Sequence, residues 1–193
     1  MTASEENFLI KVAKKVEEFK DYSPIPLIIL LLIFARPTAL TATIGLAIIS
    51  LGVIFRVFTI SHIIETRKNH PDNTFKVYES GPYRFIRSPL YTGNLLIAAG
   101  LSLFSGVLNI FIATLAIGII QLILTLYLDE HNYIKTYGDK YREYRKKVPA
   151  IIPIKIPTKK EIFRPREFSP AIEKEVKTVG AIAIIILVLL VFH

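Results

Sequence analysis

From Leu90 to Leu128 the chain runs for 39 residues without a charged side chain. A helix needs about 20 apolar residues to cross the hydrocarbon core of a bilayer, so this run is long enough for two crossings in tandem. Ser105-Gly106 and Asn109 interrupt it near its middle, which predicts a tight helical hairpin whose outer ends share one membrane face. Within lipid each backbone polar group must be satisfied inside its own segment, and helices do this directly. Other blocks fit the same scheme. Thr38 to Ile60 reads as a span interrupted only by Arg56, and Val176 to Phe192 as a span with one lysine near its start. Ile25 to Ala35 is shorter and lies between Pro24, Pro26 and Pro37, so it spans only with help from its flanks. The chain is 52% hydrophobic yet 21% charged, with mean hydropathy +0.46, so the two kinds of residue are segregated into blocks. The expected fold is an all-α polytopic integral membrane protein of about five transmembrane helices.

Charge asymmetry sets the expected topology. With five crossings, four Lys and Arg precede the first span, five fall between Thr59 and Ser88, and thirteen between Asp129 and Lys177. Thus 22 of the 24 basic residues, and all 16 acidic ones, gather on one side. The positive-inside rule makes that side cytoplasmic, with the N-terminus inside and His193 outside. Ahead of the first span, Phe8, Leu9, Val12, Val16 and Phe19 recur at helical spacing, with Lys11, Lys14, Lys15 and Glu18 elsewhere. Residues 1–22 therefore read as an interfacial amphipathic helix, and the mixed charges argue against a signal peptide. The net charge of +8 points to anionic lipid headgroups and not to nucleic acid, because the basic residues are juxtamembrane and interleaved with acids. With no cysteine and only four scattered histidines, no metal site is expected. No Gly-rich phosphate loop or dinucleotide fingerprint is present, so no Rossmann-type nucleotide-binding domain is expected.

Two polar signatures flank the hairpin. The first is Gly81-Pro-Tyr-Arg-Phe-Ile-Arg-Ser-Pro-Leu-Tyr91. Gly81 permits a sharp turn and Pro82 fixes its φ. Arg84 and Arg87, three apart, are expected on one short helical turn facing water or headgroups. Pro89 suits the first turn of the next helix, with Ser88 as its N-cap. The second is Asp129-Glu130, followed by Tyr133, Tyr137, Gly138, Tyr141, Tyr144 and Val148-Pro149. The hairpin returns Glu130 to the membrane face of the first signature. The bland reading is an interfacial anchor of snorkelling arginines and belt tyrosines. A carboxylate near two arginines and several phenols is also a seat for a cationic or zwitterionic ligand.

Taken in order, these elements resemble the isoprenylcysteine carboxyl methyltransferase and phospholipid methyltransferase superfamily. The likeness runs from about Val77 to Pro153, roughly two-fifths of the chain. It implies an S-adenosylmethionine-binding core at about 77–153, within a membrane methyltransferase domain at 23–193 whose last transmembrane helix covers about 176–192. It implies a lipid-like acceptor entering from the bilayer, and a cofactor site built from Arg87, Ser88, Pro89, Leu90, Tyr91, Asp129 and Glu130. Glu130 would take the cofactor's α-ammonium or ribose, while Gly81 and Tyr83 would shape the loop over the adenosyl group. Two departures stand out. Ser88 occupies a position where the family usually has histidine, and Leu122 to Leu128 lacks the arginine that prenylcysteine enzymes carry before the acidic pair. The expected activity is S-adenosylmethionine-dependent methyl transfer to a membrane lipid, a phospholipid amine being preferred to a prenylated acceptor.

Methyl transfer from a sulfonium needs alignment and exclusion of water, and an amine acceptor must also lose a proton. Glu65 and His62 share a helix face just past the second span and are candidate bases, or simply a solvated helix end. Tyr91 and Tyr83 would orient the nucleophile. Arg56 either snorkels or holds an acceptor phosphate or carboxylate, since charge within a span is costly and often functional. Glycines at 45 and 52, and at 93 and 100, recur seven apart and predict close helix packing. Alternative readings are isoprenylcysteine carboxyl methylation, an NADPH-dependent reductase of the sterol-reductase type, and a non-catalytic lipid-binding protein. Residues 155–166 are basic and proline-rich and read as a surface connector.

Overall fold

The glycines that recur every seven residues are where the two central helices meet. In the computed structural model, which describes residues 3–19, 22, 24–151 and 168–192, helix α3 (Ala39–Asn69) packs antiparallel on α4 (Pro89–Phe104). Gly45 faces Gly100, and a Cβ on Gly45 would lie 2.7 Å from the Gly100 carbonyl oxygen and the Phe104 nitrogen. Gly52 likewise faces Gly93 and Ile97. With no side chain between them the backbones touch, giving van der Waals contact that lipid tails cannot match. Thr38 caps α3 in a reciprocal box with Thr41, satisfying two otherwise open N–H groups.

Around this pair lie α1 (Ala3–Phe19), α2 (Pro24–Phe34), α5 (Leu108–Tyr137), α6 (Asp139–Lys147) and α7 (Phe168–Phe192), numbered over the described residues. Two short 3₁₀ helices, Thr74–Glu79 and Gly81–Arg84, link α3 to α4. No β-strand occurs among the described residues. The expected hairpin is present: α4 ends at Phe104 and α5 begins at Leu108. Helices α3, α5 and α7 are long and apolar enough to cross a membrane. Helix α4 has 16 residues and α2 has 11, about 24 and 16 Å at 1.5 Å per residue. The five-span expectation therefore resolves into three full-length spans and two shorter apolar helices.

Leu31, Ile49, Ile97, Leu101, Phe104, Ile182 and Leu189 form an apolar core drawn from α2, α3, α4 and α7. Leu51, Ile54, Ile117, Ile120, Ile184, Leu187 and Leu190 are exposed on the outer faces. Large apolar side chains arrayed outward around a small core are the surface of a multi-pass membrane protein, with lipid as the solvent. Amphipathic α1 packs along α5 and buries Ala13 completely.

Helix α7 starts eight residues before the apolar run that begins at Val176, so Glu173, Lys174 and Glu175 lie within its first turns. The basic connector at 155–166, together with Pro153, lies outside the described residues.

Candidate active site

The segment between the 3₁₀ helices and α4 is positioned by one glycine and two long-range hydrogen bonds. Gly81 has φ +57°, and a Cβ there would overlap the imidazole of His62, which is buried on α3. The chain can thus pass directly over the ring, whose Nε2 faces the Val77 carbonyl at 3.3 Å. Past the turn, the Arg87 N–H donates to the Pro149 carbonyl at 2.9 Å and the Ser88 hydroxyl to the Ala150 carbonyl at 2.7 Å. These bonds join the first signature to the Val148-Pro149 end of the second. They also correct the reading of Ser88: it stands at the N-cap position of α4, but its hydroxyl serves the Ala150 carbonyl and caps nothing. Pro89 occupies the first turn as expected and is fully buried.

Arg84 and Arg87 do not share a turn. Arg84 ends the second 3₁₀ helix and is exposed, whereas the Arg87 side chain turns inward and is 13% exposed. It forms an ion pair with Glu130, which is buried on α5. The other Glu130 oxygen pairs with Arg145 Nε of α6 at 2.9 Å, and the Arg145 side chain is 49% exposed. A buried carboxylate persists only when charged partners replace its water, and here two guanidiniums do so. Arg87 Nε is itself buried and meets no acceptor among the described residues. One turn into α4, Tyr91 donates its hydroxyl to Asp129 Oδ2 at 3.0 Å. Arg87, Ser88, Pro89, Tyr91, Asp129 and Glu130 thus converge, with the half-buried Leu90 beside them.

Arg145 was not anticipated. Its signal lies in the pattern of α6, where buried Tyr141 and Arg145 are four apart on one face, while the Asp139–Arg142 and Glu143–Lys147 pairs lie outside.

A cluster of tyrosines clamps this end of the bundle. The Tyr78 ring is buried among Tyr83, Tyr133, Tyr137, Tyr141 and Tyr144, with centroids 5.3–6.0 Å away. Tyr144 donates its hydroxyl to the Tyr83 carbonyl at 2.7 Å, fixing the turn to α6. Burial pushes the phenols of Tyr78, Tyr83, Tyr141 and Tyr144 up from their ordinary value, so all stay neutral at physiological pH. Tyr83, two residues past the Gly81 turn, therefore belongs to a wall of neutral aromatic groups beside the ion pairs.

Arg56 and Glu65 stand apart from the Arg87–Glu130 group. Arg56 threads past Gly93, where a Cβ would collide with its stem. Its Nε and one terminal nitrogen donate to the two oxygens of Glu175 on α7, at 3.0 and 2.6 Å, and its other terminal nitrogen donates to Asn94 Oδ1. Glu175 is buried. This second polar group went unanticipated, because Glu175 lies 119 residues from Arg56 in a stretch that reads as solvated. Glu65 is half-buried on α3, and among the described residues no hydrogen bond or ion pair links it to Glu130. No group of three or more His, Cys, Asp or Glu among the described residues is arranged to hold a metal ion.

The phospholipid methyltransferase family model matches residues 40–140, about half of the chain. The match takes in α3, both 3₁₀ helices, the α4–α5 hairpin and the start of α6, extending farther upstream than the signatures alone. The chain is also 31% identical over 100 residues to the protein-S-isoprenylcysteine O-methyltransferase of Schizosaccharomyces pombe, a match covering 49% of this chain and 39% of that protein. No solved structure matches. With residues 40–140 matching one family of membrane methyltransferases across the helices that carry the site, the chain belongs to the phospholipid methyltransferase family.

Proposed function

We propose that this membrane methyltransferase transfers a methyl group from S-adenosylmethionine to a membrane lipid, with a phospholipid amine as the preferred acceptor. The observation that carries the reading is the buried Glu130 held between Arg87 and Arg145. The amino-acid end of the cofactor is a zwitterion. Glu130 offers a carboxylate to its ammonium, and the half-exposed Arg145 offers a guanidinium to its carboxylate. The buried, unmatched Nε of Arg87 is a further donor. Gly81, Tyr83, Ser88, Pro89 and Leu90 complete the site, with the neutral tyrosine wall against the base. The residues fit the group.

When bound, S-adenosylmethionine supplies a sulfonium-activated methyl; the chain's residues hold, orient and shield the partners. Tyr91, oriented by Asp129, faces the position from which an acceptor approaches along α4. A lipid ammonium must shed a proton before it attacks, and Glu65 and Asp129 are the carboxylates we assign to it. Arg56, deeper in the bundle, is assigned to the acceptor's polar headgroup. The positive-inside rule puts this end of the bundle, with the N-terminus, on the cytoplasmic side. The S. pombe relative supports a second acceptor, the carboxylate of a prenylated cysteine.

The test is calorimetric titration of S-adenosylhomocysteine into the detergent-solubilised protein and into Glu130→Gln. Wild type is expected to bind, and the variant at least about tenfold more weakly, because a charge-assisted hydrogen bond contributes about 1.5–3 kcal/mol. Equal affinity in both would remove Glu130 from the cofactor site. Absence of binding by wild type would remove the cofactor.

A further inference from the structure

The Arg56 group gives a physical reason for the acceptor preference. Glu175 engages one edge of the Arg56 guanidinium with both of its oxygens, leaving the remaining terminal nitrogen directed at Asn94. The Arg56 and Glu175 side chains are 16% and 3% exposed, so this is a self-neutralised, nearly desolvated pair. Asn94, by contrast, is exposed on an otherwise apolar helix. Arg56 engages only the amide oxygen, and an exposed amide nitrogen on an apolar helix is costly in lipid unless a polar partner comes to it. Asn94 lies one helical turn beyond Tyr91, so a row of polar side chains runs from Asp129 through Tyr91 and Asn94 to Arg56 and Glu175. The row begins at the proposed cofactor site and opens on the bilayer side at Asn94.

We propose that Arg56, Asn94 and Glu175 form the headgroup seat of the methyl acceptor, and that Glu175 makes the seat selective for a zwitterionic phosphoethanolamine headgroup over a lone carboxylate. The inference rests on the methyltransferase reading above and adds the residues that choose between its two acceptors. The charges decide the choice. A free Arg56 would attract any anion, but Glu175 has already balanced it. A carboxylate arriving alone leaves the seat with net charge −1 in a low-dielectric setting, where like charges repel strongly. A phosphoethanolamine brings its own cation. Its phosphate takes the open donors of Arg56 and Asn94, and its ammonium keeps the occupied seat neutral overall as the lipid binds, before the proton is shed. The selectivity arises from a repulsive element as much as an attractive one. Gly93 is part of the device, because any larger residue would displace the arginine stem.

The test is competition binding on the full-length protein in micelles saturated with S-adenosylhomocysteine. The probe is a fluorescent phosphatidylethanolamine, displaced by unlabelled lipid or by N-acetyl farnesylcysteine with a free carboxylate. Wild type is expected to favour the ethanolamine lipid. Glu175→Gln, which leaves Arg56 uncompensated, is expected to reverse the order by shifting the affinity ratio about tenfold or more, and Glu175→Asp to restore it. Asn94→Leu leaves the ion pair in place and is expected to weaken ethanolamine-lipid binding about tenfold. S-adenosylhomocysteine affinity should stay at the wild-type value in all three. No preference in wild type, or parallel loss of both ligands in Glu175→Gln, would overturn the proposal while leaving the methyltransferase reading intact. Wild type that fails to bind S-adenosylhomocysteine would overturn both.

Discussion

Glu130 is held by two arginines of unequal standing, and the inequality is measurable. Arg87 is 13% exposed and Arg145 is 49% exposed, so removing each leaves the carboxylate in a different predicament. Arg87→Gln leaves a buried charge with only a half-solvated partner, and is expected to cost about 3–5 kcal/mol of stability. Arg145→Gln removes a largely screened partner and is expected to cost no more than about 1 kcal/mol. Thermal unfolding of both variants in one detergent checks the ordering, and equal losses would mean that Arg145 carries as much of Glu130 as Arg87 does. Arg87 and Glu130 were legible because each sits in a spaced motif at the edge of an apolar run. Arg145 and Glu175 were not, because their partners are fixed by tertiary approach and their neighbours read as ordinary solvated charges. The Ser88 bond to Ala150 was illegible for the same reason: a serine before a helical proline looks like a cap in any sequence.

The pairing of α3 with α4 carries the next level of organisation, since it sets Arg56 against Gly93 and Asn94. The seam depends on backbone contact. Gly45→Val would press side-chain atoms into the Gly100 and Phe104 backbones, and is expected to destabilise by about 1–3 kcal/mol. Gly180→Val on α7 is the control, because nothing lies within 4 Å of a Cβ there, and it is expected to stay within about 0.5 kcal/mol of wild type. Unfolding in mixed micelles of increasing denaturant content measures both, and a Gly45 variant as stable as the control would show that the seam opens without penalty. The seven-residue glycine spacing announced this contact in the sequence, as the charge-free run announced the hairpin. The start of α7 was hidden. Phe168 to Val176 has the charge density of a connector, yet it is helical, and within this mostly exposed stretch Glu175 is buried against Arg56.

At the scale of the whole molecule, a lipid-facing bundle is closed at one end by a plug of phenols. The bundle was readable from hydropathy, because lipid imposes so few solutions on a 39-residue apolar run. The plug was not, since tyrosines near a membrane boundary ordinarily read as an interfacial belt. Its chemistry predicts how the fold responds to base. Burial raises the phenols of Tyr78, Tyr83, Tyr141 and Tyr144 above their ordinary value. Below about pH 10 the phenols are protonated in both folded and unfolded chains, so they contribute no pH dependence and their stabilisation is fully present. Above that pH the unfolded chain releases protons that the folded chain retains, and stability falls as pH rises toward the raised values. Each phenol held back contributes a slope of up to about 1.4 kcal/mol per pH unit, so four together make the loss steep. Phenolate absorbance and helical circular dichroism followed together from pH 8 to pH 12 measure this. The expected outcome is that the buried fraction of the phenolate signal appears only as helicity and S-adenosylhomocysteine binding are lost. Phenols that titrate near pH 10 with the helices intact would mean that the cluster is open to water, and that the turn over the site is held by the Arg87 and Ser88 backbone bonds alone.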